Sequence, residues 1–206
     1  VIVVVDIAKG VEVQTRKLME VCRMRNTPVM IFVNKLDREG KDPFEVLDEL
    51  EEELQISVRP LSWPIDMGDR FKGVYNLYRN SLDLFKPSKQ VVTESLHLDI
   101  ESLELEKHIG DSLAGKLRDE VELITEVYPE FDREEYLAGK LAPVFFGSAL
   151  NNFGVKELLD CFVEIAPSPR KVQAEERVVD PYENTFSGFV FKIHANMDPN
   201  HRSRIA

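Results

Sequence analysis

The chain has 206 residues, of which 43% are hydrophobic and 31% are charged. This composition supports one domain with a buried core and part of a second domain, and it excludes a disordered tail. The apolar run Val1–Val5 is far shorter than the roughly 20 residues of a membrane-spanning helix, and it lacks the basic flank of a secretion signal. The formal charge of −11 argues against binding free DNA or other naked nucleic acid through bulk electrostatics.

Cysteine and histidine positions show no metal-binding or disulfide pattern. Cys22 and Cys161 are far apart and belong to no CxxC or Cys/His cluster, so we predict a reducing, cytoplasmic location and place both thiols in the core. The histidines share no ligand spacing, and we expect all four at the surface. They are His97, His108, His194 and His201.

Strand and helix patterns alternate at the start of the chain. Val1–Val5 is a β-branched run, typical of a parallel strand that is covered on both faces. A polar turn at 6–10 precedes a predicted helix over 12–25, which Asn26-Thr27-Pro28 ends. The expected buried stripe of this helix consists of Leu18, Val21 and Cys22.

A second strand and a second helix follow directly. The run Val29–Val33 again predicts a buried strand. Asp42 and Pro43 are a favourable cap and first-turn pair, and they predict the start of the next helix. We assign its acidic residues, at 49 and 51–53, to a face in contact with solvent. The expected buried stripe consists of Phe44, Leu47, Leu50 and Leu54.

The middle of the chain, at about 57–140, interrupts the alternation and is predicted to be an α+β insertion. Aromatic and β-branched residues predict short strands at 59–65 and 72–78. We expect Trp63, in the first of these strands, to pack within its own domain. Apolar residues recur at helical spacing within 113–128 and predict a helix there. Residues 133–139 predict a shorter helix after it. The stripe consists of Leu113, Leu117, Val121, Ile124 and Tyr128.

The alternation returns after the insertion. Pro143–Phe146 predicts a strand, and the apolar pattern after it predicts a helix. Three strand–helix units with an insertion indicate an α/β fold with an open, mostly parallel sheet and helices on both faces. We therefore assign 1–168 to the first domain. The stripe of the last helix consists of Val155, Leu158, Leu159, Phe162 and Val163.

The remainder of the chain has a different pattern. Residues 169–183 are predicted to be a linker, because Ala166-Pro167-Ser168-Pro169 ends the pattern of the last helix. Hydrophobic alternation at 186–193 predicts a strand in a new context. We therefore expect a second, β-type domain to begin in 184–206.

Two loops follow predicted parallel strands and are expected to meet at one edge of the sheet. Ligands of open α/β sheets bind beyond the carboxyl ends of the strands, where Asn34–Asp37 and Gly147–Ala149 both fall. The first loop has the pattern N-K-x-D. A carboxylate at Asp37 can accept hydrogen bonds from the ring N–H and the exocyclic amino group of guanine, and adenine does not offer these donors in that arrangement. The two loops therefore predict a guanine-binding site.

The other loop residues have expected roles in that site. The stem of Lys35 can lie over the ring, and Asn34 can tie its loop to the neighbouring one. The backbone amides of Ser148 and Ala149 can donate to the guanine carbonyl oxygen. An alternative remains open, because Asn34 and Asp37 are also common turn formers and caps. No catalytic and no metal-binding residue is predicted.

Together with further segments, the two loops resemble the translational GTPases, and this resemblance extends over nearly the whole chain. Within that family, Ser62–Ile65, Phe71–Tyr78 and Gly188–Pro199 look most like the bacterial peptide chain release factor 3 branch. Elongation factor G is the alternative, because it shares the guanine loops and an insertion between them. The family resemblance rests on Asp6, Gly10-Val11, Gln14-Thr15, 34–38, 71–74, 147–149 and Gly154-Val155.

The resemblance implies a site for GTP or GDP. In the family pattern Asn34, Lys35 and Asp37 read the guanine. Ser148 and Ala149 complete the base pocket. The resemblance also implies a β-barrel as the second domain, and a role on the ribosome in translation termination, in which codon-reading release factors are released and recycled.

Partners implied by the resemblance are the ribosome and the codon-reading release factors. Basic residues at 170–171 and 201–204 become candidates for contact with ribosomal RNA, although solvated loops explain them equally well. A non-catalytic ribosome-docking module remains a further alternative.

The phosphate-binding part of the family pattern has no match in this sequence. No G-x-x-x-x-G-K-[S/T] motif occurs, and Asp6, after the first strand, is followed at the D-x-x-G offset by Lys9. The magnesium ligands of the family are therefore unmatched, and the chain looks like a fragment that keeps base recognition without phosphate binding or hydrolysis. In the family's strand order, Val1–Val5 borders a strand that this sequence lacks, so we expect an exposed edge that favours self-association.

Overall fold

The computed structural model describes residues 1–85, 95–190, 192–195 and 204–205. The chain divides into two compact units, Val1–Ala166 and Pro167–Ala206. Phe191 and the segment 196–203, with the basic residues His201 and Arg202, lie outside the described residues. None of the helices within the described ranges is long and apolar enough to cross a membrane.

Strands and helices alternate in the first unit, as the sequence predicts. Short 3₁₀ turns at Gly68–Arg70 and Ala149–Asn151 add to the regular elements. Within the described residues the first unit contains β1 (Ile2–Asp6), α1 (Val13–Met24), β2 (Met30–Asn34), α2 (Pro43–Leu54), β3 (Ser57–Pro60), β4 (Ser62–Ile65), β5 (Gly73–Asn76), β6 (Ser81–Leu84), β7 (Ser95–His97), α3 (Glu104–Ile109), α4 (Asp111–Val127), α5 (Arg133–Leu137), β8 (Leu141–Phe146) and α6 (Val155–Ile165).

Four parallel strands form the main sheet, in the order β1, β2, β8 and β3. Side chains of a strand alternate between its two faces, and both faces of β2 are buried. Ile31 and Val33 belong to the core shared with α1 and α2, whereas Met30 and Phe32 belong to the core shared with α5 and α6. The predicted α/β fold, with helices on both faces of a parallel sheet, is confirmed.

The predicted strand at 59–65 is wrong in one respect, because the structure divides it between two sheets. Residues 57–60 form β3, which pairs with β8 in the main sheet, and β4 pairs with β5 in the insertion. Leu61 lies between them. Its amide donates to the Val144 carbonyl at 2.8 Å, and its carbonyl accepts the Leu77 amide at 2.9 Å. The insertion therefore leaves the main sheet after residue 60 rather than at 57.

The β-branched run of β1 predicts a strand that is covered on both faces, but the structure covers only one face of it. Val3 and Val5 are buried against the α1 and α2 side, but Val4 is 56% exposed on the other side. The reason is the position of β1 at the end of the sheet, with β2 as its only paired strand in the described part of the chain. A β-branched run is therefore compatible with a half-exposed edge strand.

Helix bounds agree with prediction more closely than the buried faces do. Met19 and Cys22 are the buried residues of α1, whereas Leu18 and Val21 are exposed. In α6, Leu158 is buried, but Leu159 and Val163 are exposed. Both stripes contain more apolar residues than the sheet covers, so spacing alone did not identify the inward face.

The insertion contains an antiparallel sheet in the order β4, β5, β6 and β7. Trp63 is 1% exposed, and its indole N–H donates to Glu120 Oε2 at 2.9 Å. Its ring centroid lies 4.6 Å from that of Phe44 and 5.4 Å from that of Phe146. The prediction that Trp63 packs within its own domain is confirmed.

The predicted surface and core positions of His and Cys hold in the described residues. Cys22 and Cys161 are buried free thiols. The side chains of the described histidines are exposed, and His201 lies outside the described ranges. The exposed histidines are His97, His108 and His194.

The described residues of the predicted strand at 186–193 do not form a strand. Residues 186–190 and 192–193 have no strand pairing, and Phe186 and Phe189 are almost fully exposed. Alternation predicts a strand only where a partner strand and a core are present, and neither covers these side chains within the described residues. The strands here are β9 (Val172–Gln173) with β10 (Val178–Val179), and β11 (His194–Ala195) with β12 (Arg204–Ile205).

The predicted cap of α2 is present, because Asp42 Oδ1 accepts the Phe44 amide at 2.8 Å. We expect Asp42→Ala to lower the free energy of unfolding by about 1 kcal/mol, the usual loss when a capping acceptor is removed. Chemical denaturation measures this change. Asp48→Ala, on the exposed face of the same helix, is the matched control and should cause no such loss; equal stability of the two variants would contradict the assignment.

Candidate functional site

The two predicted loops lie side by side at the carboxyl ends of β2 and β8. The Leu36 amide donates to the Gly147 carbonyl at 3.1 Å, and the Gly147 amide donates to the Val33 carbonyl at 3.0 Å. A third bond joins the loops through a side chain, since the Ala149 amide donates to Asn34 Oδ1 at 2.8 Å. The predicted meeting of the loops is therefore confirmed.

Asn34 holds both loops through one oxygen atom. Its Oδ1 also accepts the amide of Lys35 at 2.8 Å, and Lys35 has a left-handed backbone with φ of 75°. A side-chain acceptor next to a residue with a left-handed backbone stabilises a tight turn. The tying role predicted for Asn34 is thus visible in the hydrogen bonds.

Asp37 has an unpaired, buried carboxylate oxygen. Its Oδ1 is inaccessible to solvent and has no hydrogen-bond partner. Buried carboxylate oxygens normally accept hydrogen bonds, and an unsatisfied one costs free energy. The adjacent Leu36 is completely buried, which anchors the turn that carries Asp37.

A cavity of about 470 Å³ adjoins Asp37. The insertion supplies much of its wall through Gly68, Phe71 and Phe85. The Gly68 amide donates to the Leu36 carbonyl at 2.9 Å, so the insertion is hydrogen-bonded to the N-K-x-D loop. Asn151, which follows β8, also lines the cavity.

The amides of Ser148 and Ala149 are not free, in contrast to their predicted role as donors to a ligand. The Ser148 amide donates to the Phe153 carbonyl at 3.0 Å, and the Ala149 amide is bonded to Asn34. Ser148 is fully buried, and its Oγ accepts Asn151 Nδ2 at 2.9 Å.

Lys35 binds a carboxylate at the end of the neighbouring strand. Its Nζ lies 2.6 Å from Asp6 Oδ2. Burial raises the pKa of Asp6, but the hydrogen bonds from Lys35 and from the Ala8 amide outweigh it and hold that pKa below its usual value. Asp6 is therefore ionised at neutral pH and fixes the ammonium group of Lys35 at the edge of the sheet.

Glu49 was predicted to face solvent, but it binds two groups from distant parts of the first unit. Its Oε1 accepts the Val11 amide at 2.9 Å, and its Oε2 binds Lys41 Nζ at 2.6 Å. Burial raises the pKa of Glu49, but these bonds outweigh it and lower the pKa. Glu51 also departs from the prediction, because its Oε1 accepts the Val58 amide. Only tertiary contacts separate these two carboxylates from their exposed neighbours on α2.

The residues around Asp37 fit a guanine base better than a metal ion. The ring N–H and exocyclic amino group of guanine are the donors that an unpaired carboxylate oxygen lacks. Within the described ranges, no group of three His, Cys, Asp or Glu side chains is arranged to hold a metal. An unpaired carboxylate oxygen beside a cavity is chemically suited to a ligand that carries N–H donors.

The chain matches a known protein family over most of its length. Residues 1–168 match the family model described as the elongation factor Tu GTP binding domain. The match agrees with the parallel sheet and with the two loops that meet at its carboxyl edge. The chain therefore belongs to the translational GTPases, as a GTP-binding domain of that family.

Proposed function

We propose that Asn34, Lys35, Asp37, Ser148 and Ala149 form the guanine end of the nucleotide site. The observation that carries this proposal is the buried, unpaired Oδ1 of Asp37 beside a cavity. Asp37 accepts the ring N–H and the amino group of guanine, and its charge strengthens both bonds.

The other residues act mainly by holding Asp37 in place. Asn34 ties the two loops together, and Ser148 fixes the second loop through Asn151 and Phe153. Lys35 remains the side chain whose stem covers the ring. Because the amide of Ala149 already has Asn34 Oδ1 as its acceptor, it shares its hydrogen between that atom and the base oxygen.

Competition binding tests base recognition directly. A fluorescent GDP analogue is titrated with the chain and then displaced by guanosine or adenosine. We expect guanosine to compete at least about tenfold better, because a site built for specific donors rejects a base that lacks them. Equal displacement by both nucleosides would contradict the proposal.

We infer that the protein acts in translation termination, in the cytoplasm, and that it stimulates release and recycling of codon-reading release factors on the ribosome. Support comes from the sequence of Ser62–Ile65, Phe71–Tyr78 and Gly188–Pro199, which resembles the release factor 3 branch. Elongation factor G, with a role in translocation, is the second candidate, because it shares the guanine loops.

Ribosome assays separate these roles. The gene product that contains this chain is added to ribosomes stalled after peptide release, and dissociation of the codon-reading factor is timed. A GTP-dependent acceleration supports the termination role. Movement of messenger RNA by one codon, without that acceleration, supports the translocation role, and activity in neither assay supports a docking module.

The 206-residue chain alone is expected to hydrolyse no GTP. Phosphoryl transfer requires positioned backbone amides, a lysine and magnesium around the phosphates, and the sequence has no match to the motif that supplies them. Phosphate release in the presence of GTP, magnesium and ribosomes measures this. A rate above that of the same mixture without the chain would contradict the prediction.

Self-association through β1 is a further prediction. β1 ends the main sheet within the described residues, and the apolar side chain of Val4 is 56% exposed. An unpaired strand edge with apolar side chains favours pairing with a second copy. Light scattering should show a mass that rises with concentration, and Val4→Lys should suppress that rise. A strict monomer at high concentration would be the opposite result.

A further inference from the structure

Guanine presents an acceptor beside the two donors that a carboxylate at Asp37 accepts. Its carbonyl oxygen follows the ring N–H along the same edge of the base, and a carbonyl oxygen accepts up to two hydrogen bonds. The two predicted donors are already used by the fold. The Ser148 amide donates to the Phe153 carbonyl at 3.0 Å. The Ala149 amide donates to Asn34 Oδ1 at 2.8 Å, so neither amide supplies a donor of its own to the base.

Asn151 lines the same cavity as Asp37 and carries a side-chain donor. The nitrogen of a primary amide has two hydrogens, and the bond from Asn151 Nδ2 to Ser148 Oγ, at 2.9 Å, uses one of them. The second hydrogen can donate to a ligand without breaking that bond. The cavity thus combines the carboxylate of Asp37 with an amide N–H, which is the pair of groups that the edge of guanine requires.

Ser148 fixes the position of Asn151. The backbone amide of Asn151 donates to the Ser148 carbonyl at 3.2 Å, in addition to the bond between the two side chains. Ser148 is fully buried, and its backbone also exchanges two hydrogen bonds of 3.0 Å with Phe153. A donor that the fold already holds in place loses little conformational freedom when it binds a ligand. Asn151 is therefore a preorganised donor.

Lys72 is the other residue lining this cavity whose side chain carries N–H donors. It is exposed, in the loop before β5. An ammonium group on a flexible four-carbon stem is strongly hydrated and has no fixed direction for its donors. Recognition of one oxygen atom at a defined position of a ring is therefore better suited to Asn151 than to Lys72.

We propose that Asn151 determines specificity at the base site by donating its second amide N–H to the carbonyl oxygen of guanine. This inference rests on the proposed function of the cavity as a guanine site. Asp37 accepts the two donors of the base edge, and Asn151 donates to the acceptor beside them. The bond from Asn151 joins two neutral groups, so it contributes less than the bonds to the charged Asp37.

Nucleosides that differ from guanosine at one position separate these two contacts. A fluorescent GDP analogue bound to the 206-residue chain is displaced by guanosine, 6-thioguanosine or inosine. In 6-thioguanosine a sulfur, which is a weaker acceptor, replaces the carbonyl oxygen, and both donors remain, whereas inosine lacks the amino group. We expect the unaltered chain to prefer guanosine over 6-thioguanosine by roughly three- to tenfold.

Asn151→Ala tests the assignment. Guanosine binding should weaken by roughly three- to tenfold and 6-thioguanosine binding by less than about twofold, so the preference between them falls. The preference for guanosine over inosine should change by less than about twofold, because Asp37 reads the amino group. Lys72→Gln is the control at the same cavity, and it should change each preference by less than about twofold.

Three results overturn the proposal, and they differ in what they leave standing. If the preference for guanosine over 6-thioguanosine is absent, or if Asn151→Ala leaves it unchanged, Asn151 does not read the carbonyl oxygen, although the guanine site itself stands. An equal loss for all three nucleosides in Asn151→Ala shows that this residue only shapes its loop through Ser148. Failure of guanosine to displace the analogue from the unaltered chain overturns the guanine site, and this proposal with it.

Discussion

Asp37→Asn is expected to weaken guanine nucleotide binding by roughly 30- to 160-fold, which corresponds to about 2–3 kcal/mol. The carboxylate accepts two hydrogen bonds from the base edge, whereas an amide accepts one and turns its N–H₂ towards a donor. Fluorescent GDP titration measures the loss. Xanthosine, which has a carbonyl in place of the amino group, should bind the variant better than guanosine does.

The same substitution separates the ligand role of Asp37 from a role in turn formation. Asn forms such turns as well as Asp does, so unchanged affinity would show that the side chain only shapes the loop. Asp69→Asn is the matched control, because Asp69 lines the same cavity but is exposed. A loss of equal size in both variants would indicate a general effect of negative charge.

Gly147→Ala is expected to lower the free energy of unfolding by about 2–3 kcal/mol and to abolish guanine binding. A Cβ at this position overlaps the Phe153 carbonyl oxygen and lies 2.8 Å from Cζ of Phe32. Gly147 also bonds to Leu36 and Val33 through its backbone, so the loop cannot move without breaking the contact between β2 and β8. Chemical denaturation and nucleotide titration measure the two effects.

Gly115→Ala is the control for that variant. Gly115 lies inside α4, and a Cβ there meets no atom within 4 Å. Replacing a helical glycine by alanine should raise the free energy of unfolding by about 0.5–1 kcal/mol. A Gly147→Ala protein as stable as the unaltered chain would show that the loop adapts, contrary to the expected rigidity.

Three of the four strands of the main sheet, β1, β2 and β8, were predictable because they are short apolar runs followed by loops that begin with polar residues. Strand pairing then places Asn34 and Gly147 at one edge, and the structure confirms that placement. The cap at Asp42 was also predictable, since it depends on residues that are adjacent in sequence. Local chemistry and strand direction together account for the position of the candidate site.

The remaining features depend on contacts between distant residues. The sequence pattern assigns β3 to the insertion, and only its pairing with β8 shows that it belongs to the main sheet. Glu49 looks like its acidic neighbours on α2 until Val11 and Lys41 are brought beside it. The hydrogen bond from the Ala149 amide to Asn34 was likewise not predictable from the sequence. Sequence spacing indicates which loops meet, but not which backbone amides remain free to bind a ligand.

The bond between Asn34 and Ala149 spans 115 residues, which has a consequence for biosynthesis. A ribosome that makes this chain emits the first loop long before the second, and the whole insertion must emerge in between. Contacts between such distant segments form late, because closing a long loop costs entropy before any contact offsets it. A nascent chain therefore completes the candidate site only after β8 has emerged. Until then, the strand edge of β2 that later pairs with β8 is unpaired and prone to aggregation.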